Sequence, residues 1–143
     1  MKLSRRDLTA LLPALATAQM AAPPAKDKPT LASKTYRFED LPVVVNGENK
    51  TRAVFIGKTH TGFPVDMHIT ELGPGQAPHP AHHHVHEELL MLQTGQLDVT
   101  IKDKVTRATA GSVVYINSNE DHGWKNPGPE RARYFVVALG REG

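Results

Sequence analysis

Five of the chain's eight histidines, His79, His82, His83, His84 and His86, fall in the stretch "HPAHHHVH". The run leads directly into "EELLMLQTG". On an extended segment His82 and His84, at i and i+2, aim at the same side and can bind one ion. Glu88 opens the apolar run and shares its parity with Leu90 and Leu92. A carboxylate facing inward among leucines is unfavourable to bury unless it is paired or ligates a cation. Two readings follow from these residues, a metal site or a solvated histidine-rich loop ahead of a strand. His83 has the opposite parity and is expected in solvent. His79 and His86 are surface groups or partners of the ligands, and His86 is the nearest candidate for an acid–base role beside Glu88. His60 and His68, in a turn and a strand, are expected to be structural.

Other chemistries find no support. "HEELL" (86–90) begins like the helical zinc-protease signature, but Leu90 stands where the second histidine is required. No nucleophile elbow, phosphate-binding glycine loop or dinucleotide fingerprint is present. Cysteine is absent, which excludes disulfides, thiolate metal sites and a cysteine nucleophile and leaves histidine and carboxylate as ligands.

The elements that must position these residues read as strands. A chain of 143 residues with 11 Gly and 11 Pro supports one domain with many turns. "TYRFEDL", "TRAVFIGKTH" and "FPVDMHITEL" are extended segments, with Gly62 marking the turn between the last two. "ELLMLQTGQLDVTIKDK" looks like a hairpin turning at Thr94-Gly95, and its second arm alternates Leu97, Val99, Ile101 against Asp98, Thr100, Lys102. Gly111 precedes a further strand, Asn126 to Pro129 breaks the chain, and Tyr134 to Leu139 is a buried final strand. The total is about nine short strands, which a closed barrel or two-sheet jelly roll would free of exposed edges.

The first residues read as an address. "MKLSRRDLTALLPALATAQMAA" has a basic start, a short apolar stretch and an Ala16-x-Ala18 site, so 1–18 (or up to 22) is expected to be a signal peptide. "SRRDL" resembles the twin-arginine signature, used for proteins exported folded. Residues 19–34, rich in Ala, Pro and Lys, are expected to form a flexible linker before a domain spanning 35–140. Without residues 1–18 the chain carries 14 basic and 14 acidic side chains, so its alkaline pI belongs partly to the leader. Nucleic acid is therefore not an expected partner. A membrane is not expected either once the leader is removed, and the location implied is periplasmic or extracellular in a bacterium.

At this point the chain resembles the cupin superfamily. His82, His84, Glu88 and Gly95 match its first motif, a His-x-His followed by Glu and Gly, with Gly75 one residue short of the motif's leading glycine. "GSVVYINSNEDHGWKN" matches the second at Gly111, His122 and Asn126, with Asn117 and Asn119 replacing its Pro and Gly. Asn tolerates a left-handed backbone, so the turn at Asn119 can survive. The resemblance implies an all-β, single jelly-roll barrel over about residues 35–140. It implies a divalent metal held by His82, His84, Glu88 and His122, the last not recognisable from its local sequence. Trp124, of the same parity, would pack in the core or line the pocket.

Three imidazoles and one carboxylate suit Mn, Fe, Ni, Zn or Cu, and folding before export favours Mn or Fe, which Cu and Zn would otherwise displace. The function implied is a small-molecule metalloenzyme of dioxygenase, isomerase or decarboxylase type, with Glu88 and His86 as catalytic candidates. The alternative is a non-catalytic module binding a metal or small polar ligand. A small-molecule ligand and a second copy in a homodimer are the expected partners. A regulatory role finds no helix-turn-helix, and the two-barrel oxalate-degrading cupins fit poorly because only one pair of motifs is present.

Overall fold

The computed structural model describes residues 27–140. The expected leader and the linker up to residue 26 lie outside the described residues.

Nine strands are present among the described residues: β1 Val43–Asn46, β2 Asn49–Lys58, β3 Pro64–Leu72, β4 Glu87–Thr94, β5 Gln96–Ile101, β6 Lys104–Thr109, β7 Val113–Ile116, β8 His122–Lys125 and β9 Ala132–Leu139. They form two antiparallel sheets, a six-stranded β1-β2-β3-β9-β4-β7 and a three-stranded β6-β5-β8. The fold is the expected all-β jelly-roll barrel. No helix among the described residues is long and apolar enough to cross a membrane.

The core lies between the sheets and follows from period-two alternation. Leu90, Leu92, Tyr134 and Val136 of the large sheet meet Leu97, Val99 and Trp124 of the small one. Each fully buried aliphatic side chain contributes roughly 2 kcal/mol. Cross-strand register extends this inner face: His68 lies opposite Val136, Val136 opposite Leu90, and Ala138 opposite Glu88. Glu88 itself is also opposite Ile116 of β7. The parity argument that placed Glu88 with Leu90 and Leu92 therefore holds, and all three are buried.

Two local expectations are corrected. β4 and β5 do turn at Gly95, but they do not form a hairpin with each other. Both edges of β4 are taken, by β7 and β9, and both edges of β5, by β6 and β8. The turn is instead a corner carrying the chain between sheets. Gly95 has φ 79, and a Cβ there would lie 2.7 Å from the Ala132 Cα, so both conformation and space require glycine. The hairpin is β5–β6, turning through Lys102 at φ 54.

The second correction concerns "TYRFEDL". Its centre, Phe38–Asp40, is a single 3-10 turn closed by bonds from the Asp40 and Leu41 amides to the Arg37 and Phe38 carbonyls. The segment is docked by Phe38, whose ring lies against the Arg52 and Arg133 guanidinium groups, rather than by strand pairing. The final strand also begins two residues earlier than Tyr134, at Ala132. Within the segment expected as a linker, Leu31 N–H donates to the Lys58 carbonyl and Lys58 N–H to the Pro29 carbonyl. Lys28 pairs with Asp66 at 2.8 Å.

Candidate metal centre

The approach to the site is set by backbone pairing. His82 and His122 exchange both amide-to-carbonyl bonds, at 3.0 and 2.9 Å, in an isolated antiparallel bridge. The Asn119 amide donates to the His84 carbonyl at 2.8 Å, and Asn119 adopts the left-handed conformation expected of it, φ 59. The segment carrying His82 and His84 thus runs along the one ending in His122. Gly123 helps, since a Cβ there would press on Ala81 at 3.2 Å. The imidazoles of His82, His84 and His122 converge, with ring centroids 4.7 to 5.2 Å apart. One ligand atom from each lies within 4.8 Å of the others.

Tautomers follow from partners that can only accept. His84 Nδ1–H donates to the His86 carbonyl and His122 Nδ1–H to the Glu120 carbonyl, each at 2.7 Å. In the neutral rings this leaves the Nε2 lone pairs free toward the interior, the arrangement metal-ligating histidines adopt. Burial holds the His82 ring below the usual imidazole pKa, aided by the fields of His79, His122 and His84 and opposed by Glu88. A neutral ring is the form that ligates.

Glu88 faces these rings. Its Oε1 lies 3.4 Å from His84 Nε2, and its Oε2 lies 3.5 Å from His122 Nε2. Charge-assisted hydrogen bonds are shorter, about 2.7 to 2.9 Å. Donor atoms around one ion with bonds of about 2.0 to 2.2 Å are separated by roughly 3 to 3.5 Å. The Nε2 atoms of His84 and His122 and the Oε2 of Glu88 are buried without a hydrogen-bond partner, as is His82 Nδ1. Buried polar atoms are seldom left so, and a cation accepting their lone pairs would satisfy them all. The residues present therefore fit a divalent metal.

The remaining sequence candidates separate clearly. His83 is exposed and bonds Asp121 at 2.9 Å, away from the cluster. His79 is exposed as well, although its ring stands edge-on to His82 at 4.3 Å. His60 is exposed in its turn. Trp124 packs in the core, donates to the Tyr134 hydroxyl at 2.8 Å and stacks behind His122. Asn126 is wholly buried and ties the Leu72, Gly73 and Glu130 carbonyls together, a structural role.

Two residues stand closer to the site than sequence reasoning placed them. His86 is only 16% exposed and its Nε2 lies 3.5 Å from Glu88 Oε1. His68 is half-buried on the inner face, and its pKa is lowered by burial and raised in part by Glu88. Its parity with Thr70 and Leu72, both buried, was the available signal.

Residues 68–138 match the family model described as a cupin domain. Among curated protein sequences none matches the chain. The chain is similar in structure to an RmlC-like cupin from Shewanella frigidimarina, at 18% identity and TM-score 0.62, covering 76% of this chain and 93% of that one. It is also similar to the polyketide cyclase RemF from Streptomyces resistomycificus, at 18% identity and TM-score 0.64, covering 78% and 82%. A third similar structure, a predicted oxalate decarboxylase from Thermotoga maritima, has 17% identity and TM-score 0.63, covering 76% and 100%. Identities this low establish the fold and not the activity. With both motifs in place, the two-sheet barrel and the matched domain model, this chain carries a cupin domain and belongs to the cupin superfamily.

Proposed function

We propose that the protein is an exported cupin metalloenzyme that holds one divalent ion through His82, His84, Glu88 and His122 and acts on a small molecule. The observation that carries this reading is Glu88, buried among imidazoles with no Lys or Arg beside it among the described residues and one oxygen without a hydrogen-bond partner there. The ion would supply Lewis-acid or redox chemistry at its open positions. The chain's own residues would bind and orient it. The carbonyls of His86 and Glu120 hold two rings in the ligating tautomer, and Trp124 backs His122. His84 and His86 are 14% and 16% exposed, which leaves a narrow approach suited to a small polar substrate. The reaction proposed is of the decarboxylase, isomerase or dioxygenase kind, on a fold shared with structures named as a polyketide cyclase and a predicted oxalate decarboxylase.

Mn or Fe is the proposed ion, because a protein folded before export can retain a weaker binder away from Cu and Zn. The deciding experiment measures metal content of natively exported protein, then dioxygen uptake and turnover against small organic acids, phenols and sugars. A stoichiometric metal with turnover supports the enzyme. Stoichiometric metal without turnover supports a binding module, and zinc or copper in both exported and refolded protein removes the preference for Mn or Fe. Export is tested by Arg5→Lys with Arg6→Lys, which preserves charge. Retention of a folded precursor in the cytoplasm is expected, and normal export would refute the twin-arginine reading.

A further inference from the structure

On β3, β4, β7 and β9 the residues that alternate with the core positions Leu72, Leu90, Ile116 and Val136 face outward, away from the metal centre. Cross-strand register sorts them into complete rows. One row runs Met67, Val137, Leu89, Tyr115, and the next Ile69, Phe135, Met91, Val113. Both are apolar from end to end, whereas the solvated face of an antiparallel sheet is ordinarily polar. The two sides of this face differ in height. On the β7 side Val113 and Tyr115 stand out, 63% and 52% exposed. On the β3 side Ile69 is buried, and Met67, Ile69 and Phe135 line a groove of about 530 Å³ bounded by Phe38 and Phe55.

We infer that this face receives a second copy of the chain, the two large sheets packing on each other about a twofold axis parallel to the strands. Such an axis lays the β7 side of one copy over the β3 side of the other. Val113 and Tyr115 then enter the second copy's groove, and the contact is repeated in return. Within one chain the ridge and the groove are three strand spacings apart, about 14 Å, so neither can fill the other. The same axis sets Leu89 against Val137 and Met91 against Phe135, and no charge stands in either row to repel a copy. Charges stand at the ends instead, Glu87 beyond the first row and the Glu71–Arg133 pair beyond the second, a polar rim around an apolar centre. Four strands about 4.8 Å apart and about 20 Å long present roughly 400 Å² in projection. An exposed apolar patch of that size marks an interaction site. With its polar ends and the 36–41 segment beside the groove, the face approaches the roughly 800 Å² per partner of a stable dimer. The inference is independent of the metal centre.

The test measures the mass of the full chain by sedimentation over a dilution series. The native protein is expected at twice the chain mass. Tyr115→Lys alone and Met67→Glu alone should each be monomeric where the native protein is paired, with metal content unchanged, because both side chains face away from the centre. Mixed together, the two variants should pair again. The new lysine of one copy then meets the new glutamate of the other, while the second contact keeps its native residues. A native chain that is monomeric throughout overturns the inference, as it would be if residues 1–26 covered the face instead. A dimer that survives both substitutions overturns it too, since the interface then lies elsewhere. A mixture that stays monomeric overturns the twofold pairing of ridge and groove. If Met67→Glu does not fold, the native mass and Tyr115→Lys decide alone.

Discussion

Two glutamates are buried to nearly the same degree, Glu71 at 6% and Glu88 at 8%, and their surroundings differ completely. Glu71, on β3, faces the outer side of the large sheet. There Arg52 reaches its Oε1 at 2.6 Å and Arg133 at 3.5 Å, with Phe38 stacked against both guanidinium groups. Its counter-charge is part of the chain. Glu88, on β4, faces the barrel interior, where its neighbours are imidazoles at 3.4 to 3.5 Å. Buried carboxylates require compensation: the first has it in a structural ion pair, and the second has no Lys or Arg beside it among the described residues, which fits the metal centre proposed above. The comparison separates stability from function within one sheet.

The sharpest way to break it is to remove ligands on opposite sides of the His82–His122 bridge. His82→Ala and His122→Ala are each expected to abolish stoichiometric metal binding, measured by isothermal titration, while His79→Ala and His83→Ala retain it. Normal binding by His122→Ala would mean that Glu88 is not compensated as argued.

Substituting the glutamates themselves should give opposite results. Glu71→Gln leaves two guanidinium groups without their carboxylate, and a loss of about 3 kcal/mol in denaturant unfolding is expected with or without metal. Glu88→Gln should leave the metal-free protein at least as stable as the native one, because the amide is easier to bury than an unpaired carboxylate. It should lose the metal-dependent gain, which for a native site at a hundredfold excess over Kd is about 2.7 kcal/mol. Equal losses from both substitutions would erase the distinction.

A smaller effect sharpens the outer half. Phe38→Ala removes the ring from over Arg52 and Arg133, and a loss of about 1 kcal/mol is expected without change in metal affinity.

The smallest concerns His68, one row from Glu88 on the inner face. Burial lowers its pKa, with a contribution from His79, while Glu88 and Asp66 pull it back up. The unfolded chain then takes up the proton first. The metal-free protein should therefore hold its full stability above about pH 6.5 and lose some as pH falls below it. Glu88→Gln should shift the His68 ring titration, followed by NMR, further down. An unshifted titration would mean that Glu88 exerts no charge on this ring.

Much of this was legible along the chain. Period-two alternation identified the arm that became β5, turn residues bounded the segments that became β2, β3 and β7, and parity placed Glu88 inside with Leu90 and Leu92. Local spacing sufficed because pleating fixes which side each residue faces. The same reasoning misread Thr94-Gly95, since a turn is a local event while strand pairing depends on which edges remain free. It misread residues 38–40 because a short segment between turns can be extended or a single docked turn, and only its tertiary neighbours decide which.

By itself, then, the amino-acid sequence determined the class of fold, the inner faces of β4 and β5 and the availability of His82, His84 and Glu88, all properties of neighbours along the chain. Tertiary structure decided that His122 meets His82 through two backbone hydrogen bonds, that His86 turns inward onto His84, and that Glu71 finds arginines where Glu88, among the described residues, finds imidazoles. These depend on residues brought together across the sheets, and convergence of that kind has no signature in local spacing because it is set by the closure of the barrel.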